Sequence, residues 1–154
     1  ISYGYQSFSP GNERKVIFTD NKNFNFIPLV CYEIIYSGKV KSKSSDTNFI
    51  INISEDGWFG NSIGPHQHFS HTIFRAIEEG KNIIRSANNG ISAYIDSNGI
   101  VISKLESTKK GVIEINNYKK FNETLFSKFG NKIFFYIVLI YVGLIFFIKR
   151  WENK

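Results

Sequence analysis

Residues 24–36 read FNFIPLVCYEIIY, and their reading decides the fold. The run 24–30 is apolar and rich in strand-forming residues, which predicts a strand. Cys31 stands at its end. From Tyr32 to about Lys43 the chain can form a short helix carrying Ile34, Ile35 and Tyr36, with a polar tail (GKVKSKSSDT) behind it. A cysteine between a strand and a helix sits above a sheet edge, where the amides that follow it can hold an oxyanion. A helix N-terminus also favours the thiolate, which is the attacking species. Cys31 is the only cysteine, so an internal disulfide is impossible. A lone cysteine is either a small buried hydrophobe or a reactive thiol.

Upstream, residues 1–12 read as loop, 15–19 (KVIFT) as a strand and 20–23 (DNKN) as a turn, so 15–30 forms a hairpin. Downstream, 49–54 (FIINIS) is a nearly continuous apolar run, the pattern of a strand buried on both faces. A glycine-punctuated loop, EDGWFGNSIGP, follows it. Phe69, Ile73, Ala76 and Ile77 then recur at helical spacing, and Gly80 is placed to stop that helix. Residues 82–86, 91–96, 100–105 and 111–115 read as strands. The turn Asp96-Ser97-Asn98-Gly99 joins two of them, with Asn-Gly supplying positive φ angles. Helices among early strands and hairpins among later ones imply an α/β layered domain with a mixed sheet. No internal repeat is evident.

Residues 133–148 (IFFYIVLIYVGLIFFI) are sixteen residues without a charge, flanked by Lys132 and by Lys149, Arg150 and Trp151. A span needs roughly 20 residues, and snorkelling lysines and an interfacial tryptophan extend the reach. The segment is apolar all round, so a membrane-spanning helix is expected. Lysines lie on both sides of it, so charge alone does not orient it. The chain divides into a catalytic-type domain over 1–116, a linker over 117–131 and a transmembrane helix over 132–151. The 154 residues suffice for one domain with a real core. At 42% hydrophobic and 16% aromatic the chain is too apolar for a disordered protein. The net charge of +6 comes from scattered lysines and arginines without a nucleic-acid-binding signature, so no nucleic-acid partner is expected. Ile1 is not a methionine and no signal peptide is visible, which reads as the downstream part of something longer.

Beside Cys31, Tyr32 and Glu33 are adjacent in sequence. Glu55 and Asp56 end the next strand, and in an open α/β sheet such ends gather at the active edge. Either could be a base, or simply a solvated loop carboxylate. His66, His68 and His71 invite a metal reading, but their spacing fits neither H-E-x-x-H nor a zinc finger, and no metal or other cofactor is expected. Trp58 and Phe59 in their loop either meet apolar substrate or fold back into the core.

Four stretches taken together resemble one family: CYEI at 31–34, DGWFG at 56–60, SIGPHQHF at 62–69 and RSANNGISA at 85–93. In order and spacing they are similar to the apolipoprotein N-acyltransferases, membrane-embedded members of the nitrilase superfamily, from about Ser9 to the C-terminus. The resemblance implies an incomplete nitrilase-like αββα sandwich followed by one transmembrane helix. It implies a globular part on the periplasmic side of the bacterial inner membrane. The reaction implied moves an acyl chain from a phospholipid, through a Cys31 thioester, to the N-terminal amine of a diacylglyceryl-cysteine lipoprotein. Cys31 falls on the family's nucleophile, Tyr32 and Glu33 on residues needed beside it, Trp58 and Phe59 on an apolar arm for acyl chains. Arg85, Asn88 and Asn89 fall in a motif shaping the floor and wall of the site. The family's base, a Glu, and its oxyanion and charge partner, a Lys, lie upstream of the cysteine. Glu13, Lys15 and Lys22 are the only Glu or Lys before Cys31, and none sits in that motif. The chain is therefore expected to act only with an upstream half that supplies them. The alternatives are a non-catalytic, membrane-anchored remnant and a nitrilase-type amidase.

Overall fold

A computed structural model describes residues 11–19, 24–40, 47, 49–119 and 123–152. Its centre is one six-stranded mixed sheet whose strands lie in chain order. They are β1 (Ile17–Phe18), β2 (Asn25–Val30), β3 (Phe49–Glu55), β4 (Asn82–Asn88), β5 (Ser92–Ile95) and β6 (Val101–Leu105). β1 pairs antiparallel with β2, and β2, β3 and β4 run parallel. β5 and β6 return antiparallel. The early strands are joined through helical segments and the late ones through turns, as the sequence pattern predicts. The expected turn at 20–23 lies outside the described residues, and so do residues 1–10 of the expected first loop.

The register explains the core. Ile27, Ile50, Ile83 and Ile95 stand in one row across four strands, and all are buried. Helix α1 (Gly64–Glu79) covers this face and adds Phe69 and Ala76 to the same cluster. Burying a side chain of this size contributes about 1.5–3 kcal/mol, so this row is a large part of the stabilising energy. Pro65 sits in the first turn of α1, where its missing N–H costs nothing. Gly80 ends the helix in the left-handed conformation at φ 62°, its N–H donating to Ala76 O. The next row on the same face is Leu29, Asn52, Arg85 and Ala93. There the apolar layer gives way to polar side chains, below the ends of the parallel strands.

Three expectations are corrected. The helix expected over 32–43 is a five-residue 3-10 turn, Cys31–Ile35; Tyr36 is already extended at φ −81°, ψ 101°. Gly38 then takes φ +68°, and residues 41–43 lie outside the described residues. A turn this short has little aligned dipole to favour a thiolate. The strand expected over 111–115 has no regular structure: β6 ends the described sheet, and 111–119 find no partner strand. In the turn at 96–99 only Gly99 has a positive φ, at 82°. Asp96 fixes this turn instead, its carboxylate accepting from the amides of Asn98 and Ile100.

The segment expected as a linker carries a helical turn, α2 (Leu125–Phe129), capped by Thr124. α2 is fastened to α1: Ser127 Oγ donates to Glu79 at 2.9 Å and Thr124 Oγ1 donates to Glu78 O. Helix α3 (Lys132–Glu152) follows. Its stretch Lys132–Trp151 has a mean hydropathy of 2.2 and none of it is buried against the sheet domain. It is long and apolar enough to cross a membrane.

Candidate active site

The parallel strands β2, β3 and β4 all end at one edge of the sheet. Val30 pairs with Ile53, so the residues after them, Cys31 and Ser54, adjoin. Cys31 opens the 3-10 turn with φ +49°, one of two non-glycine residues among those described in the left-handed region. A side chain held there costs of order 1–3 kcal/mol, so its surroundings must impose it. They do so on both sides. Asn52 Nδ2 donates to Leu29 O and Cys31 O at 3.2 and 3.3 Å. Glu33 accepts from the Val30 amide at 2.7 Å and forms an ion pair with Arg14 at 3.1 Å. The elbow is thus tied down before and after the sulfur, which is partly exposed.

Beneath it lies a buried charged network. Asp56, with no exposed surface, pairs with Arg85 at 2.8 Å and with His68 Nδ1 at 2.9 Å. Ser54 Oγ donates to the same carboxylate at 2.8 Å. Arg85 spends its other donors on Asn52 Oδ1 and on Ile91 O. Burial alone would raise the Asp56 carboxyl. The Ser54 hydrogen bond, the Arg85 charge and the His68 contact outweigh it and hold the carboxyl below its ordinary value. Burial pushes the Arg85 guanidinium down, opposed by Asp56 and, more weakly, by the charge of Cys31. Gly90 makes room for the carboxylate, since a Cβ there would collide with it.

The expected site residues sort by what they touch. Tyr32 stacks on the His68 ring with centroids 5.0 Å apart. Phe59 folds back edge-on to the same ring at 5.9 Å, and Gly64 leaves the space its ring fills. Trp58 projects outward, 86% exposed, so the two loop aromatics part company. Glu55 closes the loop, accepting from the side chains of Asn88 and Asn89 and from the Gly57 amide at 2.7 Å. Asn88 and Asn89 thus hold Glu55, and Arg85 is held by Asp56 and Asn52. Neither Glu33 nor Glu55 is poised as a base. Burial would raise Glu33, but the Val30 amide and Arg14 prevail, and Asn88, Asn89 and Gly57 lower Glu55. Among the described residues no three His, Cys, Asp or Glu side chains gather to hold a metal. His68 is engaged by Asp56 instead. Sequence reasoning missed Asn52, Ser54 and Arg14. The one signal available was the polar Asn52 inside an apolar strand.

Residues 4–116 match the carbon-nitrogen hydrolase family. The apolipoprotein N-acyltransferase of Rickettsia bellii is 37% identical over all of this chain, which spans 30% of that protein's length. That of Wigglesworthia glossinidia brevipalpis is 41% identical over 82% of the chain, covering 26% of its own length. The chain thus spans less than a third of these curated relatives. Among solved structures, the carbon-nitrogen hydrolase of Helicobacter pylori G27 superposes with a TM-score of 0.55 at 16% identity. That superposition covers 67% of this chain and 43% of that one.

Proposed function

The chain belongs to the carbon-nitrogen hydrolase family, and from that premise we propose that it is the cysteine-bearing part of an apolipoprotein N-acyltransferase. The observation that carries this reading is Cys31 at a strained elbow above the parallel strand ends, in a chain 37% identical over its whole length to the Rickettsia bellii enzyme. In the first half-reaction the Cys31 thiolate attacks the acyl ester carbonyl of a phospholipid. The C–S bond forms, the ester C–O bond breaks, and the lysophospholipid oxygen takes up a proton. In the second, the α-amine of a diacylglyceryl-cysteine N-terminus attacks the thioester. The amide C–N bond forms, the C–S bond breaks, and the amine's proton goes to a base. Splitting the transfer suits sulfur, which is both a good nucleophile and a good leaving group.

Tyr32 and Phe59, packed on the His68 ring, and Trp58 in the same loop as Phe59 supply apolar surface for an acyl chain. Exposed Trp58 reaches outward to lipid, and α3 anchors the domain at the bilayer. The globular part then faces the periplasm from the bacterial inner membrane. The base and the oxyanion partner come from an upstream portion, carried on the same polypeptide or on a separate one. General acid–base catalysis is typically worth 10²–10⁴-fold, so this chain without them turns over poorly.

The test is a chimera joining the upstream part of the Rickettsia bellii enzyme to this chain. In membranes with a labelled phospholipid it is expected to add one acyl chain to the amine of a diacylglyceryl-cysteine peptide. The same chimera with Cys31→Ala is expected to add none. A folded, membrane-inserted chimera that stays inactive beside a working parent enzyme would refute the reading.

A further inference from the structure

Ser54 is the one side chain, among the described residues, hydrogen-bonded to the sulfur of Cys31. Its Oγ stands 3.6 Å from Sγ and 2.8 Å from Asp56 Oδ1. A serine hydroxyl carries one proton and two lone pairs, so it donates to one of these acceptors at a time and can accept from the other group. Asp56 keeps other partners when that proton is directed elsewhere. Its Oδ1 also meets His68 Nδ1, and its Oδ2 is held by Arg85. The carboxylate stays paired when the hydroxyl turns away.

We propose that Ser54 is a positioning residue whose single proton swings between Asp56 and the Cys31 sulfur as the sulfur changes charge. In the thiol state, Cys31 S–H donates to Ser54 Oγ and Ser54 O–H donates to Asp56. Once the thiol proton has gone to the base, the Ser54 hydroxyl rotates and donates to the thiolate. When the thioester forms, the sulfur loses its charge and the hydroxyl returns to Asp56. Only the hydroxyl rotor moves, and no proton leaves Ser54. The sulfur is anionic at attack and again at departure, so the donor serves both half-reactions and releases the uncharged intermediate. The hydrogen bond raises the fraction of Cys31 present as the attacking thiolate and stabilises the sulfur again as it departs. The inference rests on the reading of Cys31 as the nucleophile.

The charged and titratable groups around the sulfur are otherwise committed. Tyr32 follows it in the turn and stacks on His68, and Glu33 is held by Arg14 and the Val30 amide. On β3, Glu55 is held by Asn88 and Asn89. His68 on α1 and Arg85 on β4 are bound to Asp56.

The test is the pH profile of iodoacetamide alkylation at Cys31, followed by mass spectrometry on the full chain in detergent micelles. Ser54→Ala is expected to move the half-maximal pH upward by about one unit, the size of one hydrogen bond to a charged group. Ser54→Thr, which keeps the hydroxyl, is expected to follow the wild-type profile. Ser54→Val, which matches threonine in shape without the hydroxyl, is expected to follow Ser54→Ala, so one poorly folding variant does not end the comparison. An unchanged profile in the variants lacking the hydroxyl, or a threonine variant shifted as far as they are, would overturn the proposal. Alkylation needs no acyl donor. A shifted profile alongside a folded chimera that never accepts an acyl group would uphold the swing and refute the acyltransferase reading.

Discussion

Asp56 keeps its charge although it is removed from water. A lone buried carboxylate would take up a proton; this one has Arg85, His68 and Ser54 around it, and their contributions exceed the desolvation cost. Its carboxyl titrates below the ordinary value of 3.8 in the folded chain. The ionised group therefore contributes stability that is fully present above pH 3.8 and is lost as pH falls through the lower folded value. The expected outcome is a melting temperature that drops more steeply in that acid window for the wild type than for Asp56→Asn. At neutral pH the same variant is expected to lose about 3–5 kcal/mol, because Arg85 is left buried without its counter-charge. Thermal melts across a pH series check both halves. The sequence marks Asp56 as a strand-end carboxylate and Arg85 as a motif residue. Their union depends on the β3–β4 register and on Gly90, which no local pattern displays. Ser54 and Asn52 were illegible for the same reason: a polar residue in an apolar strand does not announce its partner.

At the scale of elements, periodicity located α1 and the strands β2 to β6 to within a few residues, because hydrophobic spacing is a local property. It failed where tertiary partners decide. The alternating stretch 111–115 has the composition of a strand and no strand to pair with. The turn after Cys31 is helical only until Tyr36 becomes extended. α2 was read as part of a linker because its attachment is long-range, through Glu79. Burial, joined by the neighbouring charge of Glu78, raises the Glu79 carboxyl above its ordinary 4.5 against the opposing pull of Ser127, Lys81 and Arg75. The protonated form is thus favoured in the folded chain. Its contribution is fully present below pH 4.5 and is lost as pH rises through the raised value. Glu79→Gln keeps an acceptor for Ser127 and carries no charge. It is expected to melt with the wild type in acid and above it at neutral pH. Equal melting temperatures at both pH values would contradict this account of the α1–α2 joint.

On the scale of the whole molecule, the described structure is one sheet with helices on one face and an exposed helix beyond it. On the opposite face Val30 and Ile53, at the strand ends, are each more than half exposed. The fold class and the terminal helix were legible from composition and periodicity, and the family from four short motifs in order. The arrangement of the site was not, because it arises where three strands end together. α3 is long and apolar enough to cross a membrane, and the proposed function takes it as the anchor. Deleting residues 132–154 is expected to move the chain from the carbonate-resistant membrane fraction to the soluble or aggregated fraction, and persistence in the membrane would show that another surface holds it there.

The central claim is that Cys31 carries the acyl group. It is tested most directly by intact-mass analysis of the chimera after incubation with a phospholipid of defined acyl chain and no amine acceptor. The expected result is a mass increase of one acyl chain, mapped to Cys31, released by hydroxylamine and absent in Cys31→Ala. An adduct that survives hydroxylamine, maps to another residue or forms equally in Cys31→Ala would contradict it.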